Sequence, residues 1–88
     1  MTAAQELGSL VYELREDAYL TQQQLADMLG VSQPTVSHWE LGKCLPRQYV
    51  MQKIDQIAPG FAEEMRFLWR KGRRDMYRKG QKQRREDP

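Results

Sequence analysis

Residues 21–41, TQQQLADMLGVSQPTVSHWEL, constrain the fold more than any other stretch, because a helix stop and the next helix start fall within three residues of each other. Thr21 is a favoured N-cap and Gln24 stands three positions later, so each can satisfy the other's backbone donor in a capping box. Leu20 and Leu25 flank that cap as a hydrophobic staple. Gly30 reaches a left-handed C′ conformation at least cost and ends the first helix. After Val31, Ser32 is a second N-cap, and Val31 with Val36 repeats the staple. Two helices joined this tightly must cross steeply.

Apolar residues in the stretch fall at Leu25, Leu29, Val31, Val36 and Trp39, with the small Ala26 where the helices approach. Gln33, Pro34, Ser37 and His38 then point away from the core on the second helix. A polar outward face without a large hydrophobe suits a helix that enters a DNA major groove and meets base edges.

Eighty-eight residues make one small domain with a modest core. The longest apolar runs are only a few residues, too short for a membrane span, and the start has no signal-peptide pattern, so the expected location is the cytoplasm. One cysteine and one histidine cannot supply a four-ligand zinc site. No cofactor loop, metal cluster or nucleophile arrangement is present, so neither an enzyme nor a cofactor is expected. Cys44 reads as an ordinary loop thiol. The net charge of +2 hides an asymmetry: residues 1–60 carry four basic and seven acidic side chains, residues 61–88 ten basic and five acidic. A DNA reader needs positive charge near phosphates, so either the C-terminal part reaches the duplex or affinity is modest.

Taken in order, Thr2 and Gln5 form a further capping box, and Ala3, Leu7, Leu10, Val11 and Leu14 recur at helical spacing to near Asp17. The exposed side of this helix is acidic (Glu6, Glu13, Glu16, Asp17) and should face away from nucleic acid. Tyr19 is poorly suited to positive φ, which predicts a variant turn before Thr21. Gly42 ends the third helix and Pro46 opens a fourth, from about Arg47 to Ala58, with Val50, Met51, Ile54 and Ile57 inward. Pro59-Gly60 stops it.

A fifth helix follows from Phe61 to about Lys79, its stripe marked by Phe61, Met65, Leu68, Trp69, Gly72 and Met76. Its second half looks too long for so small a domain to cover. Met65, Trp69, Gly72 and Met76 are therefore expected to form a dimer seam with a second copy, simple core packing being the alternative. Residues 80–88 have no apolar side chain and read as a disordered tail.

The pattern resembles the helix-turn-helix of the Cro and phage-repressor family, often called Xre-type, with Gln22, Ala26, Gly30, Val36, Trp39, Glu40 and Gly42 at family-typical places. The resemblance implies an all-α, five-helix repressor-like domain with a DNA-binding core over 1–60, to which the residue pattern adds the basic C-terminal helix over 61–79 and the tail over 80–88. It also implies an Arg15–Glu40 ion pair that locks the first helix to the third. Base edges would be met by Gln33, Pro34 and His38 with Thr35 at the margin, and phosphates by Gln22, Ser37, Lys43 and Arg47. Pro34 brings no donor, so readout is expected to lean on DNA shape. The implied function is a homodimeric, sequence-specific DNA-binding transcriptional regulator, expected to be a repressor of its own operon, with activation through contact to RNA polymerase, or contact to another regulatory protein, left open. Two other readings compete: an antitoxin-type protein whose C-terminal segment binds a protein partner, and an RNA-binding protein using the basic helix.

Overall fold

The computed structural model describes the backbone of residues 1–86 and the side chains of residues 1–75. Its elements are α1 (Ala3–Asp17), α2 (Gln22–Leu29), α3 (Gln33–Glu40), α4 (Gln48–Ile57), a short 3₁₀ turn (Pro59–Phe61) and α5 (Ala62–Glu86), with no strand among the described residues. Three N-caps form from local sequence. Thr2 and Gln5 exchange side-chain and backbone bonds at 2.9 and 3.2 Å, and Thr21 and Gln24 do so at 2.9 and 3.1 Å. Ser32 Oγ accepts from the Thr35 amide at 3.4 Å, the donor that remains once Pro34 has removed the preceding one. Pro46 does not open α4; Arg47 is its N-cap and Pro46 is buried before it.

Three helix ends share one closure. A left-handed residue at C′ lets the amide beyond it reach back five residues: Leu20 to Arg15 (3.0 Å), Val31 to Ala26 (3.0 Å) and Lys43 to His38 (2.9 Å). The left-handed residues are Tyr19 (φ 58°), Gly30 (φ 73°) and Gly42 (φ 74°). The variant turn expected at Tyr19 is thus an ordinary closure carried by an unsuitable residue. The Arg15 Nη1 bond to the Leu20 carbonyl at 2.9 Å, together with the backbone bonds, holds Tyr19 in a conformation that costs an L-residue roughly 1–2 kcal/mol.

The core gathers one face of each helix: Leu7, Val11 and Leu14 from α1, Leu25, Ala26 and Leu29 from α2, Val36 and Trp39 from α3, Val50 and Ile54 from α4, and Met65 and Leu68 from α5. Each large aliphatic side chain buried this way contributes roughly 1.5–3 kcal/mol. α1 lies between α3 and α5 and packs on both. Gly8 sets its distance from α3, since a Cβ there would collide with the Trp39 carbonyl and lie 2.8 Å from that of Glu40.

Of the seam expected on α5, Met65 and Gly72 are buried within the chain and Trp69 is partly so. Met65 is fully buried in the core, Trp69 Nε1 donates to the Pro46 carbonyl at 2.6 Å, and a Cβ at Gly72 would stand 3.0 Å from Leu45. The loop between α3 and α4 packs Leu45 over Gly72 and takes the Trp69 bond at Pro46, leaving the indole partly exposed. The Met76 side chain lies outside the described residues. The backbone of α5 continues to Glu86, beyond the end that apolar spacing placed near Lys79. The helix-favouring Gln, Lys and Arg of this stretch extend a helix without needing a buried stripe. The tail expected over 80–88 falls where side chains, and at 87 and 88 the backbone, lie outside the described residues.

Candidate nucleic-acid interface

Glu40, at the last turn of α3, collects three donors. Arg15 Nε reaches its Oε2 at 2.8 Å and Arg15 Nη2 its Oε1 at 3.2 Å, while Gln22 Nε2 donates to Oε1 at 3.1 Å. The Arg15 and Glu40 side chains are only 11% and 8% exposed, so this fork is mostly withdrawn from water. The hydrogen bond to Glu40 drives the Arg15 pKa further above its already high ordinary value, against an opposing effect of burial. Arg15 also lies 5.1 Å from the centroid of the Tyr12 ring. The arginine is fixed by its partners and turned inward.

The chain of bonds continues outward. Gln33 Nε2, on the first turn of α3, donates to Gln22 Oε1 at 2.6 Å. A line of hydrogen bonds therefore runs from α1 through the end of α3 and the start of α2 back to the start of α3. One hydrogen on Gln33 Nε2 and the Oε1 acceptor stay available, which is the pair needed for the N6 and N7 edge of an adenine. Gln22 is committed to this line by its side chain, and what it offers a phosphate is the free amide at the first turn of α2.

Pro34 and His38 are exposed, and Gln33, Thr35 and Ser37 are partly buried. The Thr35 hydroxyl shares a 2.7 Å hydrogen bond with Ser32 Oγ, which turns it toward its own cap. Lys43 and Arg47 are exposed in the α3–α4 loop and at the α4 N-cap, where Arg47 makes no capping bond with its side chain. Gln33, Pro34 and His38 thus share the outer side of α3, with Lys43 and Arg47 following along the chain.

Cys44 lies partly buried between that loop and the core, and desolvation pushes its thiol pKa up, the opposite of an activated cysteine. Among the described residues no group of three His, Cys, Asp or Glu could hold a metal ion, and no helix is long and apolar enough to cross a membrane.

A helix-turn-helix family model matches residues 11–57. The chain belongs to the helix-turn-helix family of Cro and the phage repressors. The matched segment contains α2 and α3, the two helices joined by the tight turn, while α5 lies beyond it. The chain is similar to repressor protein C of Escherichia phage P2, 44% identical over 57% of this chain, and it spans 66% of that relative's length. No solved structure matches it significantly.

Sequence reasoning missed two features of this helix-turn-helix domain. Gly8 carried a signal, since a glycine inside an amphipathic helix costs about 1 kcal/mol and calls for a packing reason. The Gln22–Gln33 bond carried none, because eleven residues separate the partners.

Proposed function

We propose that this chain is a sequence-specific DNA-binding transcriptional regulator that inserts α3 into the major groove and binds as a homodimer. The observation that carries the reading is the Gln33–Gln22–Glu40–Arg15 line, which braces the polar outer face of α3 from behind. A helix held only by its own turns would not aim short side chains at base edges with this constancy. Gln33 and His38 read bases, Pro34 offers apolar contact to a thymine methyl, and the α2 N-terminal amides, Ser37, Lys43 and Arg47 hold phosphates. Similarity to a phage repressor supports repression as the sign of regulation.

Selection from random duplexes tests the proposal. The wild-type chain should enrich a two-fold symmetric site with half-sites about 34 Å apart, one helical turn. Gln33→Ala and His38→Ala should each relax preference at one base pair per half-site, by about 1–3 kcal/mol of discrimination. Failure to enrich any duplex sequence sinks the reading. Retention of full preference in both variants sinks the assignment of α3.

A further inference from the structure

The motif itself has the wrong charge for its task. Residues 21–41 contain Asp27 and Glu40 and no lysine or arginine. The exposed side of α1 adds Glu6, Glu13, Glu16 and Asp17. A protein that displaces counterions from a duplex needs cations along the backbone path, so they must come from outside the two motif helices. Lys43 and Arg47 begin that supply, and α5 continues it.

Trp69 makes the connection. Its indole nitrogen is bonded to the Pro46 carbonyl, one residue before Arg47. The Arg73 guanidinium lies over the same indole, 4.9 Å from the ring centroid. Arg47, Tyr49, Trp69 and Arg73 line one open cleft of about 780 Å³, and beside it Arg70, Arg73 and Arg74 surround Trp69 in a second concave surface. Arg70, Arg73 and Arg74 are exposed and, among the described residues, make no ion pair, in contrast to Arg66, which faces Asp55 at 3.5 Å.

We propose that Arg70, Arg73 and Arg74 form a second DNA-backbone surface, continuous with Arg47, that holds phosphates flanking the groove occupied by α3. This rests on the DNA-binding reading above and deepens it. The chain assigns sequence reading to a nearly neutral helix and electrostatic affinity to a helix outside the matched family segment. Stacking on Trp69 restricts Arg73 before binding, so less side-chain freedom is given up when a phosphate arrives. The occupant is the duplex backbone because the charged side chains described around Trp69 are all arginine, Glu63 standing only on the far side of Arg70 and Arg74, and because Arg47 and Tyr49 line both the Trp69–Arg73 cleft and a neighbouring one that reaches Ser32 and Thr35 at the start of α3.

The test is the salt dependence of binding to a mixed-sequence duplex, measured by fluorescence anisotropy between about 50 and 200 mM salt. Removing one phosphate-binding cation should reduce the slope of log K against log salt by about 0.9. Arg73→Ala should therefore flatten the slope by about one, Arg73→Ala with Arg74→Ala by about two, and Arg73→Lys hardly at all. Thermal melts of each variant show that it is folded. An unchanged slope in the folded double variant, with Gln33→Ala still altering preference on selected sites, overturns this inference and leaves the DNA reading standing. A flattened slope accompanied by loss of dimer mass in sedimentation also overturns it, since the face is then an interface between copies. Tighter binding to folded RNA than to duplex, abolished by the same substitutions, overturns it in favour of RNA. No binding to any duplex at low salt fails the DNA reading itself.

Discussion

Gln33 meets the surface of α3 already bonded to Gln22, Nε2 to Oε1 at 2.6 Å, so the residue that opens α2 aims the residue that opens α3. Neither amide is free to choose its rotamer alone. A base reader prepared in this way loses less side-chain entropy on binding than a free glutamine.

The link makes the two glutamines energetically inseparable. In a double-mutant cycle on the selected site, Gln22→Ala and Gln33→Ala should be non-additive by about 0.5–3 kcal/mol. Gln22→Ala alone should lower preference at the base pair read by Gln33. Additive losses would mean that the bond has no part in recognition.

Gly8 is the position where a helix-favouring substitution should fail. Alanine gains about 1 kcal/mol of propensity over glycine in a helix interior. The added Cβ meets the backbone carbonyls of Trp39 and Glu40, which cannot swing aside as a side-chain tip would. Overpacking should outweigh the gain, for a net loss of about 1–2 kcal/mol in chemical denaturation. Displacement of α3 should also reduce duplex affinity, whereas Gly60→Ala, with open space around it, should leave affinity unchanged.

Tyr19 should respond in the opposite direction. It is 93% exposed and left-handed, so its side chain contributes little packing to set against the backbone cost. Tyr19→Gly should raise stability by about 0.5–1 kcal/mol, the relief of strain exceeding the entropy glycine adds to the unfolded chain. Tyr19→Ala, which keeps the strain, should give little or none of that increase. A melting temperature unchanged in the glycine variant would contradict this account of the turn.

Cys44 should behave as a shielded thiol. Burial raises its pKa, so the folded chain holds the proton at pH values where the unfolded chain releases it. Alkylation by iodoacetamide near neutral pH should be slower in the folded than in the denatured chain, and should accelerate as pH rises through and beyond the ordinary thiol range. By linkage, this residue's contribution to stability is constant at neutral pH and declines as pH rises past about 8.5. Folded-state alkylation as fast as that of the denatured chain would show the thiol is not shielded.

The helices were legible from sequence wherever their signals are short-range. The Thr2–Gln5 and Thr21–Gln24 boxes, the Ser32 cap and the Gly30 and Gly42 stops each involve residues within about five positions, so the chain specifies them before any tertiary contact forms. The outward face of α3 followed from the same spacing. The Arg15–Glu40 geometry was suggested only through the family resemblance, because those residues are 25 positions apart.

The arrangement of α5 could not be read this way. Met65, Trp69 and Gly72 form an apolar stripe whether they meet another chain or their own loop, and helical spacing says nothing about which. Tertiary structure placed Leu45 and Pro46 against Gly72 and Trp69, so that part of the stripe packs within the chain beside Arg73 while Trp69 stays partly exposed. Local sequence settled which segments are helices and where they end, because caps and turns are bonds between near neighbours. Which surfaces those helices bury depended on distant segments meeting, and only the folded chain brings them together.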